Sequence, residues 1–209
     1  PIEIINVLNK NKIEYEDYGY QYGSVIAYLD DYKIQITSLR EDINQVGRHT
    51  DIIYTNDWKK DAIRRDFTMN ALYLSSDGVI EDLFSGIKDI EQKTVRFIGH
   101  IEESIQEDYL RIFRYFRFLG LFDSPNHIDN YKDIFNNYIK QCFTYLSNDI
   151  IRQEILKMFN MPYPMNCFFQ PQLKQVKYKW VEVIKDHFVR TNYELGLNKC
   201  LNKIDNIVN

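Results

Sequence analysis

Two arginines and an aspartate stand together at Arg64-Arg65-Asp66, shortly before Asn70 and within an apolar stretch. Guanidinium groups can fork onto phosphate oxygens, while a carboxylate can accept a hydrogen bond from a ribose hydroxyl and an amide can donate one. A solvated ion pair at a helix end is the simpler interpretation, since exposed pairs contribute only about 0–1 kcal/mol. Residue types and spacing alone do not decide between the two.

A second charged series, Asp108, Arg111, Arg114 and Arg117, advances in steps of three residues. In a continuous helix such residues are neighbours on one surface. A carboxylate beside a guanidinium offers acceptors and donors at fixed positions, which reading the edge of a nucleobase requires, and further arginines can neutralise a triphosphate. A surface helix with ordinary salt bridges is the alternative, and the spacing considered alone favours it.

The first part of the chain contains short predicted elements, most of them strands, which must position these charged residues. The stretch from Ile2 to about Asn11 predicts an amphipathic helix. Residues 24–29 and 32–39 predict two strands of one antiparallel sheet, and Asp30-Asp31 between them suits a tight hairpin turn.

The following residues give weaker signals. Residues 41–57 are polar and show no sustained period, so they predict a loop with at most one strand around 52–54. A helix is predicted over about 57–65, residues 67–74 fit either helix or strand, and Ser76-Asp77-Gly78 marks a turn.

The pattern becomes helical beyond Gly99, which places a domain boundary near residues 86–100. A long helix is predicted over about 102–120, because apolar residues recur there at spacings of four and three: Ile105, Tyr109, Ile112, Phe116 and Leu119.

More helices are predicted over about 128–141 and from the N-cap Ser147 to Phe159, where Pro162 and Pro164 act as stop signals. Helical patterns around 173–189 and 194–208 complete the chain.

Composition limits the class of protein. With 209 residues, 44% of them hydrophobic, the chain can bury a core, and a net charge of −4 excludes a uniformly basic surface. No apolar run approaches the roughly 20 residues of a membrane span, so we expect a cytoplasmic protein without membrane contact. Cys142, Cys167 and Cys200 are far apart and odd in number, which indicates reduced thiols.

The string from Arg64 to Leu72, RRDFTMNAL, resembles the ribose-recognition motif of class II nucleotidyltransferases, the family of CCA-adding tRNA nucleotidyltransferases and bacterial poly(A) polymerases. The segment from Glu107 to Arg114 is similar to the base-reading motif of that family, in the right order and at the usual distance. Shorter likenesses lie at Gly23-Ser24-Val25, Ile36 to Arg40, Gly47-Arg48-His49, Asp82 to Asp89, Val95 to Gly99 and, more weakly, Leu146-Ser147 with Arg152 and Glu154.

This resemblance, which covers residues 1–165, implies an α+β fold. Residues 1–95 would form part of a nucleotidyltransferase head with a small mixed or antiparallel sheet, and residues 96–165 a helical neck with the base-reading helix. Residues 166–209 would form a helical tail without an assigned role. The implied function is template-independent addition of CMP or AMP to the 3′ end of tRNA or another RNA, and CCA addition and poly(A) addition share these motifs.

The resemblance also implies the binding residues for the expected partners, CTP or ATP. By position, Arg65 and Asp66 would contact triphosphate and ribose, with Asn70 holding their loop. Asp108 and Arg111 would select the base, and two arginines would lie near the phosphates. The complete implied set is Arg64, Arg65, Asp66, Asn70, Asp108, Arg111, Arg114 and Arg117.

The family's catalytic Mg²⁺ pair is held by an Asp-x-Asp after a glycine-rich motif, and both would precede the position that matches Pro1. Gln35 stands where the family usually carries an acidic residue. We therefore expect no catalytic or metal-binding residue in this chain, no activity from it alone, and a separately encoded head fragment as a partner. A split gene, a decaying gene and a trimmed chain would look the same.

A non-catalytic RNA- or partner-binding protein on a degenerate nucleotidyltransferase fold is the alternative. An excess of lysine in residues 172–203 agrees with it, although a solvated helix face explains that excess equally simply.

Overall fold

The computed structural model of the protein describes residues 1–46 and 49–168, with side chains described except at 44–46, 49 and 50. It begins with helix α1 (Ile2–Lys10), which packs Leu8 against Val25 and Ala27. Those two residues lie in a three-stranded antiparallel sheet in the order β1 (Glu14–Glu16), β2 (Ser24–Leu29) and β3 (Tyr32–Thr37). The predicted helix and both predicted strands are confirmed.

The turn between β2 and β3 is also confirmed, since Leu29 pairs with Tyr32 across Asp30-Asp31. Asp30 adopts a φ of 51°, a left-handed conformation that aspartate tolerates better than most residues.

The loop predicted over 41–57 is wrong, but the strand expected within it around 52–54 is confirmed. Strands β4 (Arg40–Val46) and β5 (His49–Tyr54) form a second antiparallel ribbon, with Arg40 opposite Tyr54. Ile53 and Tyr54 are about half exposed. A two-stranded ribbon buries little surface, so its sequence need not carry the apolar alternation by which strands are recognised. Gly47-Arg48 lies outside the described residues, as does the side chain of His49.

Helix α2 (Trp58–Ile63) confirms the predicted helix, and the side chain of Asp57 caps it by accepting a hydrogen bond from the Lys59 backbone N–H at 2.8 Å. A short 3₁₀ turn at Thr68–Asn70 and a hairpin of β6 (Leu72–Leu74) and β7 (Ile80–Asp82) follow, with the turn predicted at 76–78 between the two strands. Helix α3 (Gly86–Glu91) then packs against the 3₁₀ turn.

The predicted long helix over 102–120 is two helices, α4 (Ile101–Glu107) and α5 (Leu110–Leu119). Asp108 interrupts them with extended backbone angles, φ −148° and ψ 104°. Its Oδ1 accepts a hydrogen bond from the Leu110 backbone N–H at 3.0 Å, a local bond of the kind that competes with continuous helix. The apolar period survives the break, because Ile105 and Ile112 are both fully buried.

Three further helices surround α5: α6 (Tyr131–Tyr145), α7 (Asn148–Phe159) and α8 (Pro164–Phe168). The Ser147 side chain caps α7 as predicted, by accepting a hydrogen bond from the Ile150 backbone N–H. Pro164 begins a helix rather than only stopping one, since proline suits the first helical position. The tail helices predicted beyond residue 168 lie outside the described residues.

The main core gathers around α5 and includes residues from both sides of the predicted boundary at 95/96. Phe67 and Val95 are buried in the same cluster as Phe113 and Phe135. The α+β architecture is confirmed, and within residues 1–46 and 49–168 no helix is both long and apolar enough to cross a bilayer.

Candidate nucleotide-binding site

A cleft of about 1230 Å³ lies between the sheet elements and helix α5. Seven of the eight residues implied by the sequence line it: Arg64, Arg65, Asp66, Asn70, Asp108, Arg111 and Arg114. Residues that were not predicted as site residues line it as well, among them Tyr22, Gln35, Thr37, Arg40, Trp58, Tyr73 and Phe118. The two charged motifs therefore face one cavity, which exceeds the usual range of small-ligand pockets.

Asp61 organises the arginine wall of this cleft, although only 1% of the residue is exposed. Its Oδ1 accepts hydrogen bonds from the Arg40 backbone N–H at 3.1 Å and from Arg64 Nη2 at 2.6 Å. Its Oδ2 accepts from Arg65 Nη2 at 3.0 Å and from the Tyr73 hydroxyl at 2.8 Å. One buried carboxylate thus fixes two guanidinium groups and one phenol.

The electrostatics of Asp61 follow from these contacts. Burial on its own raises the pKa of a carboxyl, but the hydrogen bonds from Arg64, Tyr73, Arg40 and Arg65 outweigh it and lower the pKa of Asp61 to about 2. Burial and the hydrogen bond to Asp61 raise the pKa of Tyr73 to about 12. Asp61 is therefore an anion and Tyr73 a neutral donor at neutral pH.

Arg65 uses both of its Nη atoms within the chain. Its Nη1 donates to the Asn70 carbonyl at 2.9 Å, and its guanidinium lies 4.9 Å from the centroid of the Tyr73 ring. Arg65 Nε is buried and has no hydrogen-bond acceptor in the part of the chain that the structure describes.

Asp66 ties the two motifs together. Its Oδ1 accepts from the Phe67 backbone N–H at 3.0 Å and from Asn70 Nδ2 at 2.9 Å, while Oδ2 accepts from Arg114 Nε at 2.5 Å. The carboxylate is buried, so all three donors come from the chain itself. The structure thus gives Asp66 an internal role in addition to any contact with a ribose.

Arg111 is anchored across the break between α4 and α5. Its Nη1 donates to the carbonyl and hydroxyl oxygens of Ser104 at 3.1 and 2.6 Å and to Glu107 Oε2 at 2.8 Å. Its Nη2 donates to the Arg64 carbonyl at 3.0 Å, which joins α5 to the end of α2. The guanidinium is therefore held in one orientation before any ligand binds.

Asp108 lies at the break itself, so the expectation that Asp108 and Arg111 are neighbours on one helix is wrong. Both still line the cleft. Asp108 Oδ1 accepts from Leu110, whereas no donor from the described residues reaches Oδ2. One carboxylate oxygen is thus left for a ligand.

The two following arginines have different surroundings. Arg114 lies in the cleft, bound to Asp66 and over the Phe118 ring at 5.6 Å. Arg117 lines no part of the cleft and donates instead to Glu154, which is 1% exposed and also accepts from Lys157. Each step of three residues falls about 60° short of a full helical turn, so Arg117 lies about 120° around the helix from Arg111.

Asp61 was missed in the sequence although a signal for it exists. It precedes Arg64 and Arg65 by three and four residues, the spacing at which side chains meet on a helix. Arg40 and Tyr73 reach the site through tertiary contacts, so no local sequence pattern predicts them as site residues.

Magnesium ions take oxygen ligands in near-octahedral geometry and bind through one or more free carboxylates. Both oxygens of Asp61 and of Asp66 accept hydrogen bonds from arginines or neighbouring groups, and Asp108 leaves one oxygen. Among the described residues no group of three His, Cys, Asp or Glu side chains could hold a metal ion. These residues do not fit a magnesium pair.

Comparison with known proteins agrees with the motifs. Residues 1–96 match the family described as Poly A polymerase head domain. The human CCA tRNA nucleotidyltransferase 1, mitochondrial, is 47% identical over 112 residues, which are 53% of this chain and 26% of that protein. The CCA-adding enzyme of Enterococcus faecalis is 37% identical over 109 residues, 51% of this chain and 27% of that protein. The matched part of the chain is therefore similar to class II nucleotidyltransferases.

Solved structures extend the likeness in fold into the helices. The Bacillus stearothermophilus CCA-adding enzyme in complex with CTP matches with a TM-score of 0.66 and 24% identity, over 78% of this chain and 39% of that one. A tRNA nucleotidyltransferase complexed with a primer tRNA and an incoming ATP analog matches with a TM-score of 0.62 and 18% identity, over 86% and 48%. At these sequence identities, the two structural matches show that this chain shares the fold of those enzymes. The sequence matches span about a quarter of each curated relative.

Proposed function

We propose that the cleft binds CTP or ATP and that the protein takes part in template-independent addition of CMP or AMP to the 3′ end of tRNA or another RNA. The convergence of the two motifs carries this proposal. Arg114 reaches Asp66 over a separation of 48 residues, and Arg111 reaches the Arg64 carbonyl over 47. The CTP and primer tRNA complexes of the structural neighbours support the same ligands.

The free oxygen of Asp108 supports selection of the base. Cytosine and adenine each carry an exocyclic amino group that donates a hydrogen bond, whereas uracil has a carbonyl oxygen at the corresponding position. A fixed carboxylate acceptor favours the two amino-bearing bases and repels the carbonyl. Arg111 keeps the helix break in place, because it bonds to Ser104 on one side and Arg64 on the other.

Arg64, Arg65 and Arg114 support binding of the triphosphate. All three line the cleft, and each uses part of its guanidinium on Asp61 or Asp66. A guanidinium fixed in this way meets phosphate oxygens with little further loss of conformational freedom. The family implies Mg²⁺, but the described residues do not fit it, so we derive no step through the metal. Arg117 is left out of the proposed site.

Nucleotide titration by calorimetry tests the selection step. We expect the chain to bind CTP and ATP more tightly than UTP, and Asp108→Ala to remove this preference by weakening CTP and ATP about tenfold, since one charge-assisted hydrogen bond contributes about 1.5 kcal/mol or more. Glu102→Ala, at an exposed carboxyl of α4, is the matched control and should leave the preference intact. Equal binding of all three nucleotides by the unsubstituted chain contradicts the proposal.

Incorporation of labelled CMP or AMP into tRNA that lacks its 3′ end tests the activity. A separately encoded head fragment as a partner remains a prediction, tested by adding such a fragment to the assay. Nucleotide-independent RNA binding without incorporation would favour the non-catalytic alternative, whose lysine-rich residues 172–203 lie outside the described residues. The proposed divisions at 95/96 and 165/166 and the cytoplasmic location also remain predictions, and the human relative is named as mitochondrial.

A further inference from the structure

Trp58 is the first residue of α2, lines the cleft and is 52% exposed. The exposed face of an indole ring is apolar surface in contact with water. Covering it with a flat aromatic ligand would be favourable, because apolar surface is then removed from water. Aromatic side chains beside cationic groups are the usual platform on which proteins stack the bases of single-stranded nucleic acid. The position of Trp58 on the wall that carries Arg64 and Arg65 therefore points to a nucleobase.

The indole is held in place by the same contacts that hold the arginines. The Tyr73 ring packs edge-on against the Trp58 ring, with centroids 4.8 Å apart and an interplanar angle of 79°. Tyr73 in turn donates to buried Asp61 and lies under the Arg65 guanidinium. An edge-on neighbour fixes the ring while leaving a face of it available for stacking.

The placement of Trp58 separates it from the base-selecting residues. Arg111 bonds to the Arg64 carbonyl at the end of α2, whereas Trp58 stands at its start. Six residues of helix span about 9 Å, whereas stacked bases of one strand follow one another about every 3.4 Å. This separation leaves room on Trp58 for a second base beside one that is read by Asp108 near Arg111.

We propose that Trp58 stacks on the terminal base of the RNA whose 3′ end receives the nucleotide. This inference rests on the proposed function and assigns the second nucleobase that the reaction requires. The Trp58 ring would bind that base by its π-face, so the contact would tolerate any base at the RNA end.

Tryptophan fluorescence provides the test, because the chain has two tryptophans, Trp58 and Trp180. In a Trp180→Phe background, we expect a short RNA with a free 3′ end to quench Trp58 emission, and CTP alone to quench it much less. Anisotropy of labelled RNA should show about 5- to 150-fold weaker binding after Trp58→Ala and a smaller loss after Trp58→Phe, which keeps an aromatic face. Tyr32→Ala, at an aromatic residue that is 71% exposed outside the cleft, is the matched control.

The outcomes separate this inference from the function on which it rests. If CTP binds with the Asp108-dependent preference but Trp58→Ala and Tyr32→Ala bind RNA equally well, the stacking role is overturned and the nucleotide site stands. Quenching by CTP alone that matches the quenching by RNA assigns the indole to the incoming nucleotide and also overturns the proposal. Loss of both nucleotide and RNA binding in the unsubstituted chain overturns the function and the inference together.

Discussion

At the scale of single residues, the site depends on buried carboxylates that hold arginines rather than on the arginines alone. Asp61 accepts from Arg64, Arg65 and Tyr73, and Asp66 accepts from Arg114. Cations close together repel one another, and a buried anion between them offsets that repulsion while fixing their geometry. The ligand then meets a preformed set of donors.

Asp61→Asn tests this arrangement. Loss of the charge leaves partly buried guanidinium groups without their anion, so we expect the free energy of unfolding to fall by about 2–4 kcal/mol at neutral pH. The pKa of Asp61 is lowered from 3.8 to about 2, so its stabilisation is complete above about pH 4 and is lost as the pH falls towards 2. Urea unfolding of the unsubstituted and Asp61→Asn proteins over this pH range measures the difference in their free energies of unfolding, which should become smaller as the pH falls.

Asp31→Asn, at an exposed carboxyl in the turn between β2 and β3, is the matched control for Asp61→Asn. A difference between the Asp61→Asn and unsubstituted proteins that stays constant down to pH 2 would contradict the assigned role of the Asp61 charge.

At the scale of elements, helix α3 packs against the loop that carries Asp66 and Asn70 and fixes its position. Gly86 is the first residue of α3 and lies against the 3₁₀ turn. A Cβ atom at this position would clash with the Thr68 carbonyl oxygen and would lie 2.8 Å from the Thr68 carbonyl carbon. Thr68 Oγ1 donates to Asp89 Oδ2 at 2.7 Å, a second link between α3 and the turn. The motif loop is therefore positioned by a helix that follows it in sequence.

Gly86→Ala tests the close approach of α3. The added methyl group meets backbone, which cannot rotate away, so we expect a loss of about 1–3 kcal/mol in unfolding free energy together with weaker CTP binding. Lys88→Ala, at an exposed position of the same helix, should change neither quantity appreciably. If Gly86→Ala proves as stable as Lys88→Ala, the packing of α3 against Thr68 is not what fixes the loop.

At the scale of the whole molecule, one aromatic core joins the motif loop to the helices. The Phe67 side chain is fully buried, with its ring 4.9 Å from the ring of Phe97 and 5.4 Å from that of Phe118. Phe67 directly follows Asp66 and sits among residues of the helical half. The two motifs of the cleft are thus parts of one packed unit.

Phe67→Ala tests this coupling. Removing a fully buried phenyl group should lower the free energy of unfolding by about 3–5 kcal/mol, and Phe159→Ala, at a partly exposed ring, should cost much less. We expect unfolding followed by Trp58 fluorescence in the Trp180→Phe background and by far-UV circular dichroism to coincide, with both midpoints shifted together. Separate transitions for the two probes would show that the cleft does not unfold with the helices.

The sequence by itself predicted the likeness to class II nucleotidyltransferases, the α+β class, the helix cap at Ser147 and seven of the residues that line the cleft. These depend on motifs and short-range periodicity, which are local properties of the chain. The tertiary structure decided the rest. The polar ribbon β4–β5 has no local apolar signal, the break at Asp108 lies inside an unbroken apolar period, and Arg117 departs from the cleft because helical rotation takes it to Glu154. Asp61 has a local signal in its spacing from Arg64 and Arg65, whereas Tyr73 became a site residue only because folding brings it against Asp61 and Trp58, and contacts between distant segments leave no periodic trace in the sequence.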